Sequence, residues 1–99
     1  MTTQRTVLVT GGSRGIGASI AQHFAAQGDR IAVHYSANGD LANEVMASLP
    51  GSGHIVVQAD LRDPAAIKIM VDQVASEFGH IDILINNAGV FFDHPIESS

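Results

Sequence analysis

The sequence predicts an α/β fold, a doubly wound parallel sheet with helices on its two faces. Three observations predict it. Short β-branched apolar runs occur four times, and between them apolar residues recur at helical spacing. The intervening segments, roughly 10 to 15 residues of helix each, suit right-handed crossovers between parallel strands. A glycine cluster, four of the ten glycines lying between positions 11 and 17, separates the first apolar run from the first helical segment.

Taken in order, Arg5 to Thr10 (R-T-V-L-V-T) is a buried strand ending at Gly11-Gly12. From Gly15 to Gln27 the period changes: Ile16, Ile20 and Phe24 recur four apart, with Gly17, Ala21 and Gly28 on the neighbouring row. That pattern predicts an amphipathic helix stopped by Gly28. Arg30 to Tyr35 is a second strand and Ser36 to Gly39 a loop. Asp40 to Leu49 is a second helix, ended by Pro50-Gly51-Ser52-Gly53. His54 to Ala59 is a third strand, and Asp63-Pro64 supplies a cap and a first helical residue. The third helix carries Ile67, Met70, Val71, Val74 and Phe78 on one face and stops at Gly79. Ile81 to Asn86 is a fourth strand, and from Asn87 onward the chain is loop, with Pro95 in place to open a further helix.

Such an alternation fits half of a Rossmann sheet with strand order 3-2-1-4. Right-handed crossovers put the first two helices on one face and the third on the other, which leaves that second face with a single helix. Residues 1–99 therefore read as one incomplete domain, a fold truncated before its remaining strands. Alone, its fourth strand is an unprotected apolar edge, and self-association or poor folding is the expectation.

Composition narrows the function. The chain has no Cys and no apolar run long enough to cross a bilayer, and Met1 to Arg5 lacks the apolar segment of a signal peptide. A soluble, cytoplasmic protein is expected. A net charge of −5 argues against a nucleic-acid binder. The charge is uneven: residues 1–39 carry +2 and residues 40–99 carry −7. The basic excess coincides with the glycine cluster, which points to an anion site. His23, His34, His54, His80 and His94 never fall three or four apart, so no metal site is expected.

Thr10-Gly11-Gly12-Ser13-Arg14-Gly15-Ile16-Gly17 lies between strand and helix, where the first helical amides are unpaired and the dipole favours an anion. Its spacing, G-x-x-x-G-x-G, is neither the G-x-G-x-x-G fingerprint nor a P-loop, since no Lys follows the last Gly. The competing assignment is a flexible turn.

With Asp60-Leu61 after the third strand and Asn86-Asn87-Ala88-Gly89 after the fourth, the sequence resembles the N-terminal part of the short-chain dehydrogenase/reductase family. The likeness runs from Arg5 to Gly89 and is nearest to the acyl-carrier-protein reductase type, with the sugar dehydrogenase type close behind. It implies that Gly11, Gly12, Ser13, Arg14, Gly15, Ile16 and Gly17 form the loop on the pyrophosphate and nicotinamide side. Asp60 would accept from the adenine amino group, with the Leu61 amide facing the ring, and Asn87, Ala88 and Gly89 would line the riboses. It further implies an oxidoreductase acting on a small carbonyl or alcohol by hydride transfer, and a homo-oligomer.

An NAD site places an acid about 20 residues past the loop, at the end of the second strand. Here Tyr35 holds that place and Ser36 follows, with Asp40 the nearest acid beyond. Without a carboxylate to repel a 2′-phosphate, NADP is preferred over NAD. Arg14 stands where NADP-preferring members of the family carry a basic residue, and Ser36 offers a hydroxyl; the alternative for Arg14 is a solvated surface charge.

The family's chemistry needs a Ser and a Tyr-x-x-x-Lys pair after N-N-A-G. This sequence holds one tyrosine, Tyr35, and one lysine, Lys68, so no catalytic residue is assigned and the chain alone is expected to be inactive. Two function classes follow: the cofactor-binding portion of an NADP-dependent oxidoreductase, or a stand-alone nucleotide-binding or interaction fragment without turnover. The substrate is not legible. Phe91-Phe92-Asp93-His94 offers at most a pocket rim, and the two phenylalanines suit helix packing better.

Overall fold

Strand β1 (Thr6–Thr10) is buried along its whole length, as its β-branched, two-sided apolar composition requires of a central parallel strand. The computed structural model describes residues 4–13 and 15–87. In chain order β1 is followed by α1 (Gly15–Ala26), β2 (Arg30–Tyr35), α2 (Gly39–Ser48), β3 (Ile55–Gln58), α3 (Pro64–Phe78) and β4 (Ile83–Asn86). The four strands form one parallel sheet in the order β3-β2-β1-β4. Fold class and strand order are those the sequence predicts. Among the described residues no helix is long and apolar enough to cross a membrane.

The helix ends follow local chemistry. Asn38 caps α2 by accepting from the Leu41 amide at 3.2 Å, and Asp63 caps α3 by accepting from the Ala65 amide at 3.0 Å, with Pro64 behind it. Gly79 ends α3 in the left-handed region at φ 88°, a conformation costly for any residue with a Cβ. Three predicted strands begin later than expected, β1 and β3 by one residue and β4 by two, and polar side chains explain the last two. His54 accepts from the Ile31 amide through Nδ1 at 3.0 Å, so a side chain takes the place of a ladder bond before β3. Asp82 accepts from the Thr6 amide at 2.9 Å just before β4.

Two apolar layers flank the sheet. Val7, Val9, Ile31 and Val33 pack under α1 and α2 with Ala21, Ala25, Ala42 and Leu49. Leu8, Ala32, Val57 and Ala59 pack under α3 with Met70, Val74 and Phe78. Helices α1 and α2 thus share one face, and among the described residues α3 alone covers the other. Leu8 is in register with Leu84 of β4, so both side chains point to the α3 face. Leu8 is sealed while Leu84 is 58% exposed, because α3 does not extend over β4.

The most apolar row of α1 is not the one that faces the sheet. Gly17, Ala21 and Ala25 face the sheet, whereas Ile16 is 70% exposed and Ile20 and Phe24 are only partly buried. A helix close against a sheet needs small residues at the contact, and that requirement outranks side-chain hydrophobicity. The larger side chains line a shallow trough of about 540 Å³ with Gly15, Ser19 and His23.

The N-terminal ends of the strands carry structural ion pairs. Arg5 donates two bonds to the buried Asp29 carboxylate, at 3.0 and 2.8 Å. Asp82 joins Thr6 and His80, and the Thr6 amide above all holds its carboxyl below the usual carboxylate value. The opposite ends carry the candidate site.

Candidate functional site

The C-terminal ends of four parallel strands meet along one edge of the sheet, and each predicted motif lies there. From β1 come Gly11, Gly12 and Ser13, from β2 Tyr35 and Ser36, from β3 Asp60 and Leu61 through Ala59, and from β4 Asn87. Gly15, Ile16 and Gly17 form the first turn of α1, which contains no acidic side chain. Arg14, Ala88 and Gly89 lie outside the described residues, as do Phe91, Phe92, Asp93 and His94.

The glycine loop is held at several points. Gly11 has φ 64°, and its amide donates to His34 Nδ1 at 2.8 Å, while the Gly12 amide donates to the His34 carbonyl at 3.0 Å. Asn87 donates through Nδ2 to the Gly11 carbonyl at 3.3 Å, and the Thr10 hydroxyl donates to the Ile85 carbonyl at 3.1 Å. Two glycines are required by close approach rather than by torsion. A Cβ on Gly12 would stand 3.0 Å from the Val9 carbonyl oxygen, and one on Gly17 would collide with the Gly11 carbonyl. The described residues of the loop are thus tied to β2 and β4 by hydrogen bonds.

Tyr35 is half-buried, and its ring lies against Gly39 at the start of α2, where a Cβ would stand 3.1 Å from the hydroxyl. Ser36 is exposed, and its carbonyl accepts from Gln58 at 3.1 Å. No described acidic side chain occupies these two positions at the end of β2.

Asp60 is more engaged than its sequence position suggests. Oδ1 accepts from the Arg62 amide at 2.9 Å and from Arg62 Nε at 3.0 Å, and Oδ2 accepts from Nη2 at 3.0 Å. These bonds, the side-chain ones foremost, hold the Asp60 carboxyl below its ordinary value. Replacing Arg62 by Ala should return the Asp60 titration upward toward the ordinary carboxylate value, as read by carboxyl-carbon NMR; an unmoved midpoint would refute this account of the shift. A depressed carboxyl adds stability that is lost as pH falls through its folded value.

Two residues of the site escaped the sequence reading. Arg62 counted only toward net charge, although its position two past Asp60 suits a local charge pair. His34 counted only as a histidine unsuited to metal, although a polar ring inside an apolar strand requires partners.

The chain matches the family model described as short chain dehydrogenase over residues 5–99. It is 39% identical over 92 residues to a 3-oxoacyl-[acyl-carrier-protein] reductase of Staphylococcus aureus, which is 91% of this chain and 37% of that protein. Its structure is similar to that of a short chain dehydrogenase from Burkholderia cenocepacia in complex with NADP. There the TM-score is 0.81 at 44% identity, over 96% of this chain and 40% of the other. A dehydrogenase/reductase from Sinorhizobium meliloti gives a TM-score of 0.81 at 36% identity, over 99% of this chain and 40% of that one. The chain spans a little over a third of the length of the relatives it matches.

Proposed function

The chain belongs to the short-chain dehydrogenase family, and from that membership we propose that it is the cofactor-binding portion of an NAD(P)-dependent oxidoreductase, with NADP preferred. The observation that carries this is the loop Gly11–Ser13, pinned by β2 and β4 against the start of α1. Unpaired amides at a helix start, a favourable dipole and an acid-free first turn suit a pyrophosphate.

The donor set across the edge fits the rest of a dinucleotide. An ionised carboxylate has about four acceptor directions, and Arg62 uses three at Asp60. The direction left on Oδ2 suits the adenine amino group. Leu61, half-buried, follows directly, and its amide would face the ring. Tyr35 and Ser36 present no carboxylate to a 2′-phosphate, and Arg14 supplies a cation for it. By the family resemblance Asn87, Ala88 and Gly89 would line the riboses. A similar structure with NADP bound supports the choice of cofactor.

When bound, the nicotinamide would carry hydride to or from a small carbonyl or alcohol. The one tyrosine and one lysine of this chain do not assist that step. Tyr35 ends β2, and Lys68 is paired with Asp72 on the surface of α3 at 2.8 Å. We assign this chain to cofactor binding and no catalytic residue to it.

Fluorescence titration tests the assignment. NADPH should bind at least about tenfold tighter than NADH, roughly 1.4 kcal/mol, and Arg14→Ala should weaken NADPH while leaving NADH nearly unchanged. Equal affinities for the two would sink the NADP preference. Failure to bind either would sink the nucleotide assignment.

A further inference from the structure

His34 is fully buried at the end of β2, and among the described residues it is the one histidine so enclosed. Its ring touches two loops at once. The Gly11 amide donates to Nδ1 at 2.8 Å, and Nε2 lies 2.9 Å from the Ala59 carbonyl. An amide can only donate and a carbonyl can only accept, so the ring is neutral and carries its proton on Nε2.

That geometry has a topological meaning. Strands β1 and β3 are not neighbours, since β2 runs between them, and no ladder bond joins their ends. The imidazole spans that gap, connecting the residue that opens the glycine loop to the residue just before Asp60. We infer that His34 is a positioning residue that holds the loop after β1 in register with the loop after β3, so that a ligand gripping both loops depends on it. The inference rests on the nucleotide assignment above, in which those loops take pyrophosphate and adenine.

Acid should uncouple the loops. A proton on Nδ1 would face the Gly11 amide, two donors with no acceptor between them. Burial, working against the Ala59 carbonyl, keeps the ring's pKa below the usual histidine value, so it is neutral at pH 7 and charges only on acidification. The apolar layer that contains Ala32, Val57 and Ala59, with Met70 and Val74 from α3, brings no charged side chain to it. Asp60 and Arg62 on the loop after β3 are paired with each other at the surface, and Asp63 caps α3. On β1 the polar side chains are the Thr6 and Thr10 hydroxyls, and at the far end of β2 Asp29 is paired with Arg5.

Two variants separate the two bonds. In His34→Asn the amide oxygen takes the place of Nδ1 and keeps the Gly11 bond, while the Ala59 bond is lost. In His34→Gln the amide nitrogen takes the place of Nε2 and keeps the Ala59 bond, while the Gly11 bond is lost. Both should bind NADPH about tenfold more weakly than the unmodified protein, yet bind adenosine, which lacks the pyrophosphate that the glycine loop takes, within about twofold. NADPH affinity of the unmodified protein should also fall more steeply between pH 7 and 5 than that of either variant, the titration of the 2′-phosphate being common to all three.

Variants that bind NADPH normally, or that lose NADPH and adenosine by the same factor, would overturn the coupling. So would identical pH profiles. If neither variant folds, the unmodified protein decides: its affinity for NADH, which spans both loops and has no 2′-phosphate to titrate, must fall on acidification further than its affinity for adenosine, and a parallel decline of the two overturns the inference. Unmodified protein that binds no nucleotide would overturn the nucleotide assignment and this inference with it.

Discussion

Gly17→Ala should destabilise the protein by about 3 kcal/mol and abolish measurable dinucleotide binding. Inside a helix, alanine ordinarily improves on glycine by up to about 1 kcal/mol, so propensity alone predicts the opposite sign. Contact decides. The added Cβ would collide with the Gly11 carbonyl and stand 2.8 Å from Asn87 Nδ2 and 2.9 Å from the Gly11 carbonyl carbon. Two of these atoms are backbone in a turn already fixed by His34, and neither can swing aside as a side chain would. Relief requires α1 to lift from the sheet or the glycine loop to open, and either releases the Asn87 bond to Gly11. Urea unfolding gives the first number and NADPH titration the second. A variant of normal stability that still binds NADPH would show that the loop and helix do not meet as described.

Leu8→Ala should cost about 3 kcal/mol, within the usual 2 to 5 for a sealed leucine. Leu8 is completely enclosed in the layer beneath α3, with Ala32 beside it in register on β2. Its other register partner supplies an internal control. Leu84 has the same side chain on the same face one strand away, but is 58% exposed. Leu84→Ala should therefore cost less than about 1 kcal/mol, since little area leaves water there. Equal losses in the two variants would mean that the α3 layer extends over β4 after all.

The fold was legible because its signals are periodic. Paired β-branched runs and three amphipathic stretches define the elements, and crossover handedness leaves few ways to arrange four parallel strands. The glycine loop was legible because a helix start without side chains is a local pattern. What escaped depends on non-local geometry. Whether Ile16 or Gly17 faces the sheet is a matter of how closely α1 approaches, and hydrophobicity favours the wrong row. The role of His34 depends on Gly11 and Ala59, more than twenty positions away in either direction. The start of β3 is displaced because the His54 side chain occupies a ladder position that only the folded register reveals.

The stapling of the glycine loop to β4 also sets a clock. Asn87 reaches Gly11 across 76 positions of chain, and Thr10 reaches Ile85 across 75. Contacts so distant form late, because the intervening chain must first lose its freedom. Synthesis at roughly 5 to 20 residues per second separates β1 from β4 by about 4 to 15 seconds. Throughout that interval β1 can pair with β2 but has nothing on its other edge. The glycine loop, made before β4, is thus among the last parts of the sheet to take its final form.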